Sequence, residues 1–113
     1  MVVTISAKNR IRDLVAGDVS SMALGDGGNS ATAADSDLQS TIESTRKAPT
    51  IILKDRTIEF RHELSTAEGN GETFRELGVF MNGDEVLLDR AVFPDFQKTE
   101  ANSLTTIDII RFD

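Results

Sequence analysis

The sequence predicts a mainly β protein, an antiparallel β-sandwich-like domain with a short N-terminal helix. Three observations carry this reading. Residues 57–64, TIEFRHEL, alternate apolar and polar side chains, the pattern of an antiparallel strand with one wet face. Asn82-Gly83 separates two apolar runs, and both residues tolerate the positive φ that a tight hairpin demands. Helical spacing occurs near the start, where Ala7, Ile11, Leu14 and Val15 fall on one helical face. At 113 residues the chain fits a single domain over 1–113, with 1–18 as its helical segment and 19–113 as its β-rich body.

The elements follow in order. Gly17 is a candidate C′ residue for the helix. Val19 to Leu24 makes a short strand, and Gly25 to Asn29 a turn. Thr32 with Asp35 three positions on has the form of a capping box. It is expected to start one or two helical turns through Ala33, Ala34 and Leu38, and Ser36 and Asp37 oppose anything longer. From Thr41 the period is two, and Pro49 makes this strand an edge or ends it. Lys54-Asp55-Arg56 turns into the 57–64 strand, where Ile58, Phe60, His62 and Leu64 share one face. Thr57, Glu59, Arg61 and Glu63 occupy the wet face. After a polar loop, Thr73 to Met81 forms a strand, and Asn82-Gly83 makes a two-residue turn. Val86 to Phe93 returns antiparallel, and Pro94 closes it. A second loop leads to a last strand from Leu104 to Asp113. The 73–81 and 86–93 strands are near-continuously apolar, which predicts burial on both faces, within the fold or against another subunit.

Composition narrows the function classes. Nineteen acids against twelve bases give a net charge of −7, which argues against nucleic-acid binding through a basic footprint. Eleven acids are Asp and only four bases are Lys, a well-hydrated surface compatible with a high-salt source. Without Cys, disulfides and thiolate zinc sites are excluded. The first eighteen residues hold no apolar signal-peptide region. No apolar run approaches the ~20 residues a membrane-spanning helix needs, so membrane insertion is not expected.

No residue pattern points to catalysis, a metal or a cofactor, and none of the three is expected. His62, the only histidine, sits on the apolar face of its strand with no nucleophile or orienting carboxylate nearby in sequence. It reads as a half-buried structural residue. Asp26, Asn29, Asp35 and Asp37 form an oxygen-rich region, but the twelve-residue calcium-loop pattern is missing. Glu59 and Glu63 fall on the predicted wet face, where a charge run is ordinarily solvation. The glycines of GDGG and EGNGE lack the spacing and the Lys-Ser/Thr of a phosphate loop.

Three ordered stretches add a resemblance. SMALGDG (21–27) is followed by TAADSDLQ (32–39) and RKA (46–48); then come FRELGVF (74–80), LLDRAVF (87–93) and Lys98. The order and spacing resemble small tail-fibre and tail-collar-type proteins of tailed phages and related archaeal viruses. Leu77 and Asp89 stand where that family has Ala. Asp89 must then face solvent, a partner charge or the neighbourhood of Arg90. The resemblance implies a virion structural protein without catalysis. It would be an oligomerising adaptor or attachment domain of a fibre, collar or baseplate, located in the virion. Its implied partners are its own copies, a trimer favoured, and other virion proteins. The chain is short for a complete fibre, so an anchoring module is expected. Head or neck decoration, or a host-surface or glycan-binding module using loops 65–73 and 94–103, are the alternatives. Arg75, Glu76, Val79 and Arg90 are the expected interface residues, since Arg is favoured at interfaces for its planar fork. Phe74, Phe80 and Phe93 are expected in the core.

Overall fold

A computed structural model describes residues 1–113. One helix, α1 (Ile5–Asp18), precedes seven strands. These are β1 (Val19–Gly25), β2 (Thr41–Lys47), β3 (Thr50–Lys54), β4 (Thr57–Leu64), β5 (Thr73–Met81), β6 (Val86–Gln97) and β7 (Leu104–Arg111). They form two sheets, ordered β2-β1-β5-β6 and β3-β4-β7, with every pairing antiparallel. The fold is therefore mainly β and sandwich-like, as the sequence predicts. No helix is long and apolar enough to cross a membrane.

The main core is built from both sheets. Met22 and Leu24 of β1 and Phe74, Leu77 and Val79 of β5 meet Ile58, Phe60 and Leu64 of β4, and Ala16 of α1 joins them. Strand alternation turns Ala23 and Phe80 to the opposite face of the larger sheet. There they pack with Leu38, which the long β1–β2 connection lays over them. Gly78 makes room for this lid: a Cβ there would stand 2.7 Å from a Leu38 methyl. β5 is thus buried on both faces, as its composition predicts. Phe74 and Phe80 are core residues, and Phe93 packs against the core while partly exposed.

Several local expectations are corrected. β6 is an edge strand with alternating exposure and is not buried on both faces. Pro94 does not close it. Strand β6 continues to Gln97, and the register slips between Phe74↔Phe96 and Glu76↔Val92. Pro94 falls in that bulge, where its missing N–H costs no ladder hydrogen bond. The β5–β6 connection is a four-residue loop, because Met81 pairs with Val86. Asn82, Gly83 and Asp84 all have positive φ, and Asp84 is held there by the hydroxyls of Ser20 and Ser21. No helix forms after Thr32. The reciprocal bonds between Thr32 and Asp35 exist, yet they close an isolated turn. Glu59 is buried, not wet, and Arg61 and Lys54 pair with it.

Helix α1 also departs from expectation. Its hydroxyl cap is Thr4, whose Oγ1 accepts from the backbone N–H of Ala7. Gly17 is not a C′ residue, since the helix passes through Asp18 straight into β1. The predicted inner face points mostly outward: Ile11 and Leu14 are exposed, and Val15 and Ala16 meet the core. Polar contacts rotate the helix this way. Asn9 accepts from the backbone N–H of Arg56 and donates to Asp55, and Arg12 donates to the carbonyl of Lys54. The tight β3–β4 turn is thereby clamped to α1.

Val79 is fully buried between Leu77 and Phe80 at the centre of β5. Val79→Asp would place an unpaired carboxylate among apolar side chains, at a cost of about 3–5 kcal/mol. Denaturant titration is expected to show loss of the folded population, and a cooperative transition of unchanged midpoint would refute the placement.

Candidate functional site

The most elaborate polar arrangement lies on the outer face of the larger sheet, beneath residues 26–40. Glu76, at the start of the unbulged part of β5, is fully buried. Its two carboxylate oxygens accept from the backbone N–H groups of Gly27, Gln39 and Ser40, each at 2.8 Å. Arg90 of neighbouring β6 donates from Nε to the same carboxylate at 2.9 Å. Glu76 Oε2 approaches the chain so closely at Gly27 that a Cβ there would stand 2.5 Å from it. Gly27 is therefore required by proximity.

Arg90 extends the network outward. Its Nη1 donates to Asp35 at 3.1 Å, and its Nη2 donates to the carbonyl and the side-chain oxygen of Asn29. The oxygen-rich region noted in the sequence thus holds a cation, but that cation is a guanidinium. A backbone hydrogen bond from Thr32 and the contact with Arg90 keep the Asp35 carboxyl below its ordinary range. Burial opposes the charge on Arg90, yet its bonds to Glu76 and Asp35 outweigh it and raise the guanidinium's pKa. Both remain ionised across any ordinary pH. A cleft of about 310 Å³ opens beside them, lined by Ala31 to Ala33, Asp35 and Leu87 to Arg90.

The four expected interface residues separate. Glu76, Val79 and Arg90 are buried in the chain's own fold. Arg75 alone reaches the surface, where it makes a two-pronged pair with Asp95 and donates to the carbonyl of Asp26. Arg75 and Glu76 point to different partners and do not pair with each other.

His62 is fully buried, more than the sequence suggests. Burial lowers its pKa, so the ring is neutral and Nε2 donates to the carbonyl of Thr45. Nδ1 has no partner. The ring's one hydrogen bond is to a backbone carbonyl, with Lys47 and Glu68 as its nearby charges. Lys98 is also fully buried, with Nζ donating to Asn70 Oδ1 and the carbonyl of Thr99. Its backbone joins that of Glu72 and Gly71. It ties loop 65–72 to loop 98–103 at the end of the sandwich opposite α1.

One pair escaped sequence reading altogether. Asp89 of β6 lies opposite Val79, and Asp108 of β7 lies opposite Phe60, so the last strands of the two sheets bring two carboxyls together. Burial and the hydrogen bond to Asp89 push Asp108 up to about 7. The two positions belong to different sheets, and nothing local in the sequence joins them.

No family model matches the sequence, and no curated protein gives a match.

Three substitutions test these contacts. Glu76→Gln leaves buried Arg90 with Asp35 as its one counter-charge and turns an amide donor toward backbone N–H groups that need an acceptor, and is expected to cost about 3–5 kcal/mol. Arg75→Ala, at a surface pair, is expected to cost under ~1 kcal/mol by the same denaturant measurement. Asp108 has a folded pKa of about 7 against ~3.9 unfolded. Its stabilising contribution is complete below ~4 and is lost as pH rises toward 7. Asp108→Asn keeps the hydrogen bond without the charge. Its melting temperature at pH 8 is expected to exceed the parent's by about 5 °C, with a smaller difference at pH 4. Equal melting temperatures at pH 8 would show that the two carboxyls do not share a proton.

Proposed function

We propose that this chain is a virion structural component, an oligomerising adaptor or attachment domain of a viral tail fibre, collar or baseplate. In this reading it performs no chemistry, and its partners are its own copies, with a trimer favoured, and other virion proteins. The observation that supports it most is where the resemblance motifs meet. Gly27 of SMALGDG, Asp35 and Gln39 of TAADSDLQ, Glu76 of FRELGVF and Arg90 of LLDRAVF are far apart in the chain, yet they build one hydrogen-bonded unit. The stretches that carry the resemblance thus fold against one another in one sheet and the connection that covers it. The network is structural in kind: it pins a long connection onto a sheet and stiffens a surface. A rigid, acidic β-domain that presents shape suits a module whose task is to be held in an assembly.

One observation favours a second reading, a host-surface module. The two loops expected to carry recognition are joined through Lys98 at one end of the sandwich. They form a single face there.

Localisation decides between these. Gold-labelled antibody against the folded chain is expected to decorate purified particles at the tail or its junction with the head. Particles that contain no copy of the chain by mass spectrometry would overturn the structural reading. Label on the particle together with binding of the free chain to host envelopes would favour the recognition face.

A further inference from the structure

The smaller sheet has one strand fewer than the larger one. β7 is its last strand, and one side of its backbone ladder is unpaired. β7 lacks most of the devices that blunt an edge: apart from the inward Asp108, Leu104–Arg111 holds no proline or lysine, pairs with β4 without a bulge, and leaves Ile107 and Ile109 exposed. Beside it, between β6 and β7, runs an apolar groove of about 410 Å³ lined by Leu77, Ala91, Phe93, Phe96, Leu104 and Ile107. The groove and the free edge together have the shape of a vacant strand position.

A matching segment lies elsewhere in the chain. Met1, Val2, Val3 and Ile5 are apolar and mostly exposed, and the backbone at Thr4 is extended. Charge is complementary as well. Lys8 and Arg10 carry positive charge without an ion-pair partner, whereas Arg12 pairs with Asp13. Asp89 and Asp108 come together on the two strands that flank the groove, while Asp95 in its lining is already paired with Arg75. Such an arrangement favours approach of the basic segment to the acidic edge.

The segment cannot reach its own groove. It lies against Phe112 and Asp113, beyond the Arg111 end of β7, whereas the groove lies toward Leu104. That separation is ~20 Å along the strand. Four residues span at most ~14 Å, and Asn9 and Arg12 clamp the helix that follows them.

We propose that residues 1–4 of one copy add as an extended strand to the free edge of β7 in a second copy, with Met1 and Val3 seated in the groove. Main-chain bonds to β7 supply affinity and the alternate side chains supply register. The contact is heterologous, so successive copies close into a ring or continue as a fibre. The inference rests on the assembling reading above and names the surface through which copies join.

The chain contains no cysteine, which makes engineered cross-links unambiguous. A Val3→Cys chain is mixed with an Ala91→Cys chain and oxidised. A Thr50→Cys chain, altered on the β3 edge, is the control. Thr106→Cys is a second groove variant should Ala91→Cys melt early. Val3–Ala91 or Val3–Thr106 heterodimers are expected to exceed the Val3–Thr50 product roughly tenfold. Light scattering on the unaltered chain accompanies the cross-linking. A larger-than-monomer mass without that excess overturns this interface and leaves the assembly reading standing. A monomer at every concentration, again without the excess, overturns both.

Discussion

One buried carboxylate organises the larger sheet. Glu76 satisfies three backbone N–H groups of a connection that has no regular structure of its own. Without those acceptors the N–H groups of Gly27, Gln39 and Ser40 would lie beside a sheet with no partner, each at a cost of ~1–3 kcal/mol. Arg90 supplies the carboxylate's counter-charge in this buried position, and Asp35 and Asn29 accept from the guanidinium's outer N–H groups. The group therefore meets the condition under which buried charge is tolerated: both carboxylate oxygens and four of the five guanidinium N–H groups are answered. Leu38 then seats on Ala23 and Phe80 because the polar anchors on either side fix its backbone.

The two faces of β5 thus have different physics. Toward β4 the contact is apolar and insensitive to pH or salt. Toward the long connection it is a small apolar patch ringed by ionic hydrogen bonds. The opposite end of the molecule is held differently again, by a helix clamped through Asn9 and Arg12 rather than by its own apolar stripe.

Strand content, strand order along the chain and the double burial of β5 were legible, because period and composition are local signals. The helix was legible as a helix, but its orientation was not. Ala7, Ile11, Leu14 and Val15 mark an apolar stripe, and only the distant β3–β4 turn decides that Ile11 and Leu14 face away while Val15 stays on the core. The turn bonds between Thr32 and Asp35 were legible too. What overrode the helical expectation was distant Glu76, which takes the backbone N–H groups of Gln39 and Ser40 that a continuing helix would have used. Pro94 was read as a terminator, but β6 runs on past it because a bulge absorbs its missing donor. Glu76 and Arg90 stood out as polar residues in apolar strands. That they answer each other inside one chain is visible only once β5 and β6 are paired in register.

The latch also fixes an order of events. Glu76 and Arg90 sit on one hairpin, 14 residues apart, whereas Gly27 and Glu76 are separated by 49. Closing the shorter loop costs less chain entropy. During synthesis residues 26–40 leave the ribosome well before their anchors exist, and chains grow at ~5–20 residues per second. For that interval of seconds Ala23 and Leu38 stay uncovered, and the outer layer is completed only when the hairpin arrives.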